Sequence, residues 1–225
     1  INLDIKQGEN VAILGATGSG KTSLVNLIPR FYDVTGGRVL LDGEDVRDYS
    51  FDALRSKVAL VLQKSELFSG TVAENLRWGN PEASDAELKK AAEIAQADSF
   101  IESFNEGYDT MIAEKGASLS GGQKQRLSIA RAILKKPEII IFDDSMSALD
   151  LKTSARLSAA LRSEMADTTV ITIAQRVASV MNADRIVVLD GGGISAVGTH
   201  AELLETSDVY RDIYNSQLKR GESIE

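Results

Sequence analysis

The chain has 225 residues, a formal charge of −8, no cysteine and a single histidine, His200. That length suits one domain, or a core with one inserted subdomain, while the missing thiols exclude disulfides and thiolate metal sites and a lone histidine argues against a transition-metal centre. The acidic balance argues against a nucleic-acid partner or a face drawn to anionic lipid, since both gather Lys and Arg, and no run approaches the roughly 20 apolar residues of a bilayer span.

Read from Ile1, which follows no initiator Met and opens no signal-peptide pattern, the chain is expected to be a domain drawn from something longer, in a setting compatible with the cytosol. Short apolar strands alternate with helical patterns, which predicts a parallel sheet covered by helices. The predicted strands are Val11 to Leu14, Val39 to Leu41, Val58 to Leu62, Ile139 to Phe142, Thr169 to Ile173 and Ile186 to Leu189. Gly191-Gly192-Gly193 reads as a turn into a further short strand, Ile194 to Val197. Between Thr71 and Leu134 no strand is expected. There, Ser84 with Glu87 forms a capping box, and Leu88, Ala91, Ala92 and Ala95 share one helical face. A second capping box, Thr199 with Glu202, opens a C-terminal helix that carries Leu203 and Leu204 and continues through Tyr210, Ile213 and Tyr214. His200 sits inside that box and is read as structural.

Gly15-Ala16-Thr17-Gly18-Ser19-Gly20-Lys21-Thr22 matches G-x-x-x-x-G-K-[ST] between the strand Val11 to Leu14 and the helical stretch Thr22 to Ile28, the context that a phosphate loop requires. Glycine is needed because successive backbone N–H groups must turn inward around phosphates and leave no room for side chains. Lys21 would reach the β and γ phosphates, the Thr22 hydroxyl would hold Mg²⁺, and Ser23 follows at the helix start, where the dipole favours an anion.

Further along, Leu119-Ser120-Gly121-Gly122-Gln123 precedes an amphipathic helix with Leu127, Ala130 and Leu134 on one side. With the phosphate loop, this resembles the signature of ATP-binding-cassette (ABC) ATPases, and the resemblance covers essentially the whole chain. Five elements stand in the family's order: the phosphate loop, Gln63 after a strand, the signature, the apolar strand ending at Asp143, and Ser147-Ala148-Leu149-Asp150. Phe68 to Asn75 and Glu114-Lys115-Gly116 look like the exporter branch. The resemblance implies a P-loop (RecA-like) α/β fold: a parallel-sheet core at 1–63 and 136–225, a small antiparallel β region, and an inserted helical subdomain at 64–135. It also implies ATP and Mg²⁺ as ligands, the metal held by Thr22, Gln63 and Asp143. Nucleotide contacts would come from Gly15 to Ser23, from Ser120, Gly121, Gly122 and Gln123, and from Asp150. Its partners would be a second ABC cassette and the transmembrane domains of an exporter, at the cytoplasmic face of a membrane.

Taken without the family, several of these residues have plainer readings. Gln63 alone could be a surface amide, Asp143 a strand-ending turn residue, and Ser120 an ordinary helix N-cap. Yet Ser120 with two following glycines also exposes backbone N–H groups at a positive helix end, a second anion site in a chain with one γ-phosphate to hold. The family resolves this by head-to-tail pairing of two cassettes.

Two positions depart from the family pattern. Where a glutamate polarises the attacking water, this chain has Asp144, and where a histidine contacts the γ-phosphate it has Gln175. Asp is shorter by one carbon–carbon bond, about 1.5 Å. A displacement of about 1 Å in a positioning group can cost on the order of 10²-fold in rate. Gln175 still donates a hydrogen bond but carries no charge. The pattern resembles the degenerate half of a heterodimeric exporter, with catalytic roles for Asp144, Gln175 and Gln63 weakened on this chain's own site and the signature completing a faster site on a different subunit. Slow homodimeric turnover, a non-hydrolytic regulatory module and a soluble ABC ATPase are the alternatives. No aromatic residue that could stack on adenine precedes the phosphate loop, so that contact is expected to lie before Ile1.

Overall fold

An apolar run of four to six residues is too short for a stable helix and too greasy to leave either face in water, so it belongs inside a covered parallel sheet. A computed structural model, describing residues 1–219, is a mixed α/β fold of P-loop type in which such runs form the central strands. The chain divides into two compact units, Ile1–Val58 with the residues from Thr168 onward, and Ala59–Asp167.

The first unit opens with β1 (Asn10–Gly15), whose last five residues are buried, then α1 (Lys21–Asn26). β2 (Leu40–Leu41) and β3 (Glu44–Asp45) make a small antiparallel ladder, shorter than the expected Val39 to Leu41 because only two residues on each side pair. α2 (Phe51–Lys57) is capped by Ser50, whose hydroxyl accepts from the Ala53 N–H.

β4 (Val58–Val61) leads into the second unit, which continues with β5 (Gly70–Thr71), α3 (Val72–Arg77), α4 (Asp85–Ile94), α5 (Asp98–Glu102), β6 (Met111–Ile112), α6 (Gly121–Leu134), β7 (Ile139–Asp143) and α7 (Leu151–Glu164). Within it β7 and β4 are neighbouring strands. Reciprocal capping boxes start α3 (Thr71 with Glu74), α4 (Ser84 with Glu87) and α6 (Ser120 with Gln123). α6 packs on α3 and α4, burying Leu127, Ala130 and Leu134 together with Leu88, Ala91, Ala92 and Ala95 as their spacing predicts. One expectation fails here. β6 lies in a stretch read as free of strands and pairs antiparallel with β5, Gly70 opposite Ile112 and Thr71 opposite Met111. Two residues carry no alternation to read, so only the pairing itself defines them.

The chain then returns to the first unit with β8 (Thr169–Ala174), β9 (Arg185–Asp190), β10 (Gly193–Gly198), α8 (His200–Thr206) and α9 (Asp208–Lys219). β8 and β9 flank β1 in parallel register, Leu14 lying opposite Ala174 on one side and Val188 on the other. β10 adds antiparallel to β9 through Gly191 and Gly192, both at positive φ (+54° and +80°), as a tight hairpin turn of the right hand demands. The single C-terminal helix read from the sequence is in fact two. Ser207 is extended (φ −119°, ψ 111°), and its hydroxyl accepts from the Tyr210 N–H at 3.2 Å, so it ends α8 and caps α9. Tyr210 is fully buried against a core that includes Leu14, Val177, Val188 and Leu203.

Candidate functional site

In the first unit the phosphate loop leaves the carboxyl end of a strand buried between two parallel neighbours. Gly15 has no room for a side chain: a Cβ would stand 2.5 Å from the Leu189 carbonyl oxygen and 2.7 Å from Ser19 Oγ. Gly18 and Gly20 hold φ of +83° and +93°, conformations L side chains rarely adopt. Between them the chain folds through a Ser19 N–H to Ala16 carbonyl bond of 3.1 Å, and α1 begins at Lys21 with no side-chain cap on its first turn. Ala16, Thr17, Gly18, Gly20, Thr22 and Ser23 are exposed, whereas Lys21 is only 7% exposed. Its ammonium donates to the carbonyl oxygens of Gly15 and Ala16, both at 2.8 Å, and to Ser19 Oγ at 3.3 Å. A buried cation is thus held inside a rim of exposed backbone, the arrangement that fits a polyphosphate. Because Leu14 is in register with Ala174, Gln175 emerges from the adjacent parallel strand end, and it is exposed.

In the second unit the structure gathers the remaining residues at the ends of β4 and β7. Asp143 closes β7 and is buried, 8% exposed. Asp144 follows in the left-handed region (φ 49°, ψ 20°), a conformation that Asp tolerates better than most residues. Its carbonyl accepts from Ser147 Oγ at 2.6 Å, and its carboxylate oxygen Oδ2 accepts from Gln63 Nε2 at 2.7 Å. Two residues 81 apart in sequence are therefore in direct contact. Within this unit Gln63 and Asp143 offer an amide oxygen and a carboxylate, hard oxygen donors of the kind suited to Mg²⁺ and not to softer metals. Among the described residues no group of three or more His, Cys, Asp or Glu could hold a metal ion.

The signature forms the first turn of α6. Ser120 Oγ accepts from the Gln123 N–H at 3.3 Å, while Gln123 Oε1 accepts from the Ser120 N–H at 2.9 Å. Among the described residues a Cβ on Gly121 would meet nothing beyond its own helix within 4 Å, and one on Gly122 would lie 3.4 Å from the Ala148 carbonyl oxygen. Asp150 caps α7, its carboxylate accepting from the Thr153 N–H (2.9 Å) and Oγ1 (2.7 Å), and the Thr153 hydroxyl bond is the main cause of a pKa below the usual carboxylate value. His200 stands at the start of α8, with Nδ1 2.7 Å from the Tyr210 hydroxyl, which fits its structural reading.

One residue of this region escaped the sequence. Gln125 is 1% exposed; it donates through Nε2 to the Leu62 carbonyl at 3.2 Å and accepts from Ser65 Oγ. It brackets Gln63 from both sides and ties that segment to the signature helix. The available signal was its spacing with Ile129 and Ile133, which puts an amide on a buried helical stripe.

Residues 1–147 match the family model described as ABC transporter. A Bacillus subtilis protein with the provisional name multidrug export ATP-binding/permease protein YgaD is 46% identical over 217 residues, which is 96% of this chain and 37% of that protein. A similarly named Staphylococcus aureus protein is also 46% identical, over 96% of this chain and 38% of its own length. Among solved structures, that of a bacterial Atm1-family ABC exporter with ATP bound superposes with a TM-score of 0.90 at 38% identity, over 94% of this chain and 37% of that one. The chain thus spans less than two fifths of the relatives it matches. Among the described residues no helix is long and apolar enough to cross a membrane. With phosphate loop, signature and strand-end aspartate in order, and with the family model covering well over half its length, this chain belongs to the ABC transporter family.

Proposed function

We propose that the chain is the ATP-binding and ATP-hydrolysing part of an ABC exporter, working at the cytoplasmic face of a membrane beneath transmembrane domains and against a second cassette from a different subunit. The observation that carries this reading is Lys21, a buried ammonium held by the carbonyls of a loop whose glycines leave no side chain in the way. On this reading 1–63 with 136–225 is the phosphate-binding core, and 64–135 the helical subdomain that presents the signature.

The roles follow from the chemistry of each group. Lys21 turns from the loop carbonyls to β- and γ-phosphate oxygens, while backbone N–H groups at the exposed loop residues, among them Gly18, Gly20 and Thr22, receive the remaining charge. Thr22, Gln63 and Asp143 are the proposed ligands of Mg²⁺, which when bound neutralises β- and γ-oxygen charge. Asp144 orients the water that attacks phosphorus in line, the bond to the β–γ bridging oxygen breaks, and ADP leaves. Gln175 donates a neutral hydrogen bond to the γ-phosphate. A short carboxylate and an uncharged amide make this site slow.

Ser120 to Gln123 and Asp150 would instead close over nucleotide held by the second cassette. Among the described residues no atom beyond its own helix and chain neighbours stands within 4 Å of a Cβ on Gly121, and this open face, available to an approach from outside, supports the reading. The same two departures, Asp144 and Gln175, favour a second reading in which ATP joins subunits without useful turnover. Phosphate release measured beside ATP-dependent association separates them. Association with release at this site favours the first reading, and association without release the second; no MgATP binding sensitive to Lys21→Ala would sink both.

A further inference from the structure

α9 presents Tyr210, Ile213, Tyr214 and Gln217 on one stripe at i, i+3, i+4 and i+7. The first three pack on the core formed by Ala174, Val177, Val180 and Leu203. The fourth is polar, and both ends of its amide are engaged. Gln217 Nε2 donates to the Gln175 carbonyl at 2.7 Å, and Gln217 Oε1 accepts from the Val177 N–H at 2.8 Å. A carboxamide that takes the C=O of one residue and the N–H of the next but one does what a neighbouring strand would do. It does so where regular structure stops, since β8 ends at Ala174 and the next helical turn begins at Val177. The backbone of the Gln175 segment is therefore held from the C-terminal helix.

We propose that Gln217 is a positioning residue, which fixes the backbone from which the Gln175 side chain reaches the γ-phosphate and so links the placement of α9 to nucleotide binding. The inference rests on the γ-phosphate role given to Gln175 above. Truncating Gln217 leaves α9 anchored by its apolar stripe but releases both backbone bonds. The aim of the Gln175 side chain then loosens without loss of the fold.

The test measures MgATP affinity and single-turnover rate on the full-length protein in its assembly, for Gln175→Ala, Gln217→Ala, the double variant and Gln217→Glu. Gln217→Ala should weaken affinity or rate by about fivefold, and the double variant should equal Gln175→Ala alone. Gln217→Glu has the same length but sets a second oxygen against the Gln175 carbonyl, so it should be at least as impaired as the alanine. If Gln175→Ala is impaired while Gln217→Ala or Gln217→Glu behaves as wild type, or if the two alanine effects add fully, the positioning role is overturned and the γ-phosphate reading stands. If Gln175→Ala itself changes nothing, the reading falls and the inference with it.

Discussion

Asp144→Glu, made together with Gln175→His, restores the longer carboxylate and the ionisable ring. The carboxylate advances by about 1.5 Å, one carbon–carbon bond, and a placement error of about 1 Å is worth on the order of 10²-fold, or about 2.7 kcal/mol of barrier. Two opposing effects can be set against that gain. Asp144 lies at φ 49°, where Asp is better tolerated than Glu, so the exchange sacrifices part of the 1–2 kcal/mol that separates the two hands of the backbone. The 2.7 Å bond from Gln63 must also re-form to a longer side chain, at a loss of about 1 kcal/mol. Together these remain well below the roughly 5–15 kcal/mol of a folded domain, so the variant stays folded and the rate effect is readable. The assay is a single-turnover time course with limiting γ-labelled ATP on the full-length assembly. Wild type should show a fast and a slow phase, and the double variant should move the slow phase toward the fast one by about 10²-fold. One fast phase in wild type, unchanged by the double substitution, would refute the reasoning.

Ser120→Ala removes the cap of α6 and should destabilise the chain by about 1 kcal/mol in thermal unfolding. In the same time course it should slow the fast phase and spare the slow one, whereas slowing of the slow phase alone would contradict the assignment of the signature to the partner's nucleotide. Gln125→Leu leaves Ser65 Oγ and the Leu62 carbonyl without their buried partner, so a loss of about 1–3 kcal/mol is expected, with weaker Mg²⁺ dependence through Gln63; an unchanged melting temperature would count against the bracket. Burial holds the His200 imidazole below its ordinary value of 6.5. The unfolded chain therefore takes up the proton first, and this contribution to stability is full above pH 6.5 and is lost as pH falls from there through the depressed folded value. The difference in melting temperature between wild type and His200→Gln should accordingly shrink on acidification; a difference independent of pH would remove His200 as its source.

Local chemistry made much of this molecule readable. The phosphate loop is eight consecutive residues whose conformations are set by where glycine stands, and the capping boxes at Ser84 and Thr199 are closed within one turn. The long apolar strands announced themselves because burial on both faces leaves no polar position to confuse the pattern. What the tertiary structure alone decided is contact between segments far apart in sequence. β5 and β6 exist only through each other, across some forty residues, and Ser207 breaks the final helix because its hydroxyl finds the Tyr210 N–H when Tyr210 enters the core. Gln63 on Asp144, Gln125 around Gln63 and Gln217 on the Gln175 backbone follow the same rule. A glutamine in the sequence is only a donor and an acceptor on a flexible stem; its partner is chosen by the strand ends and helix faces that packing brings within 3 Å or so of it.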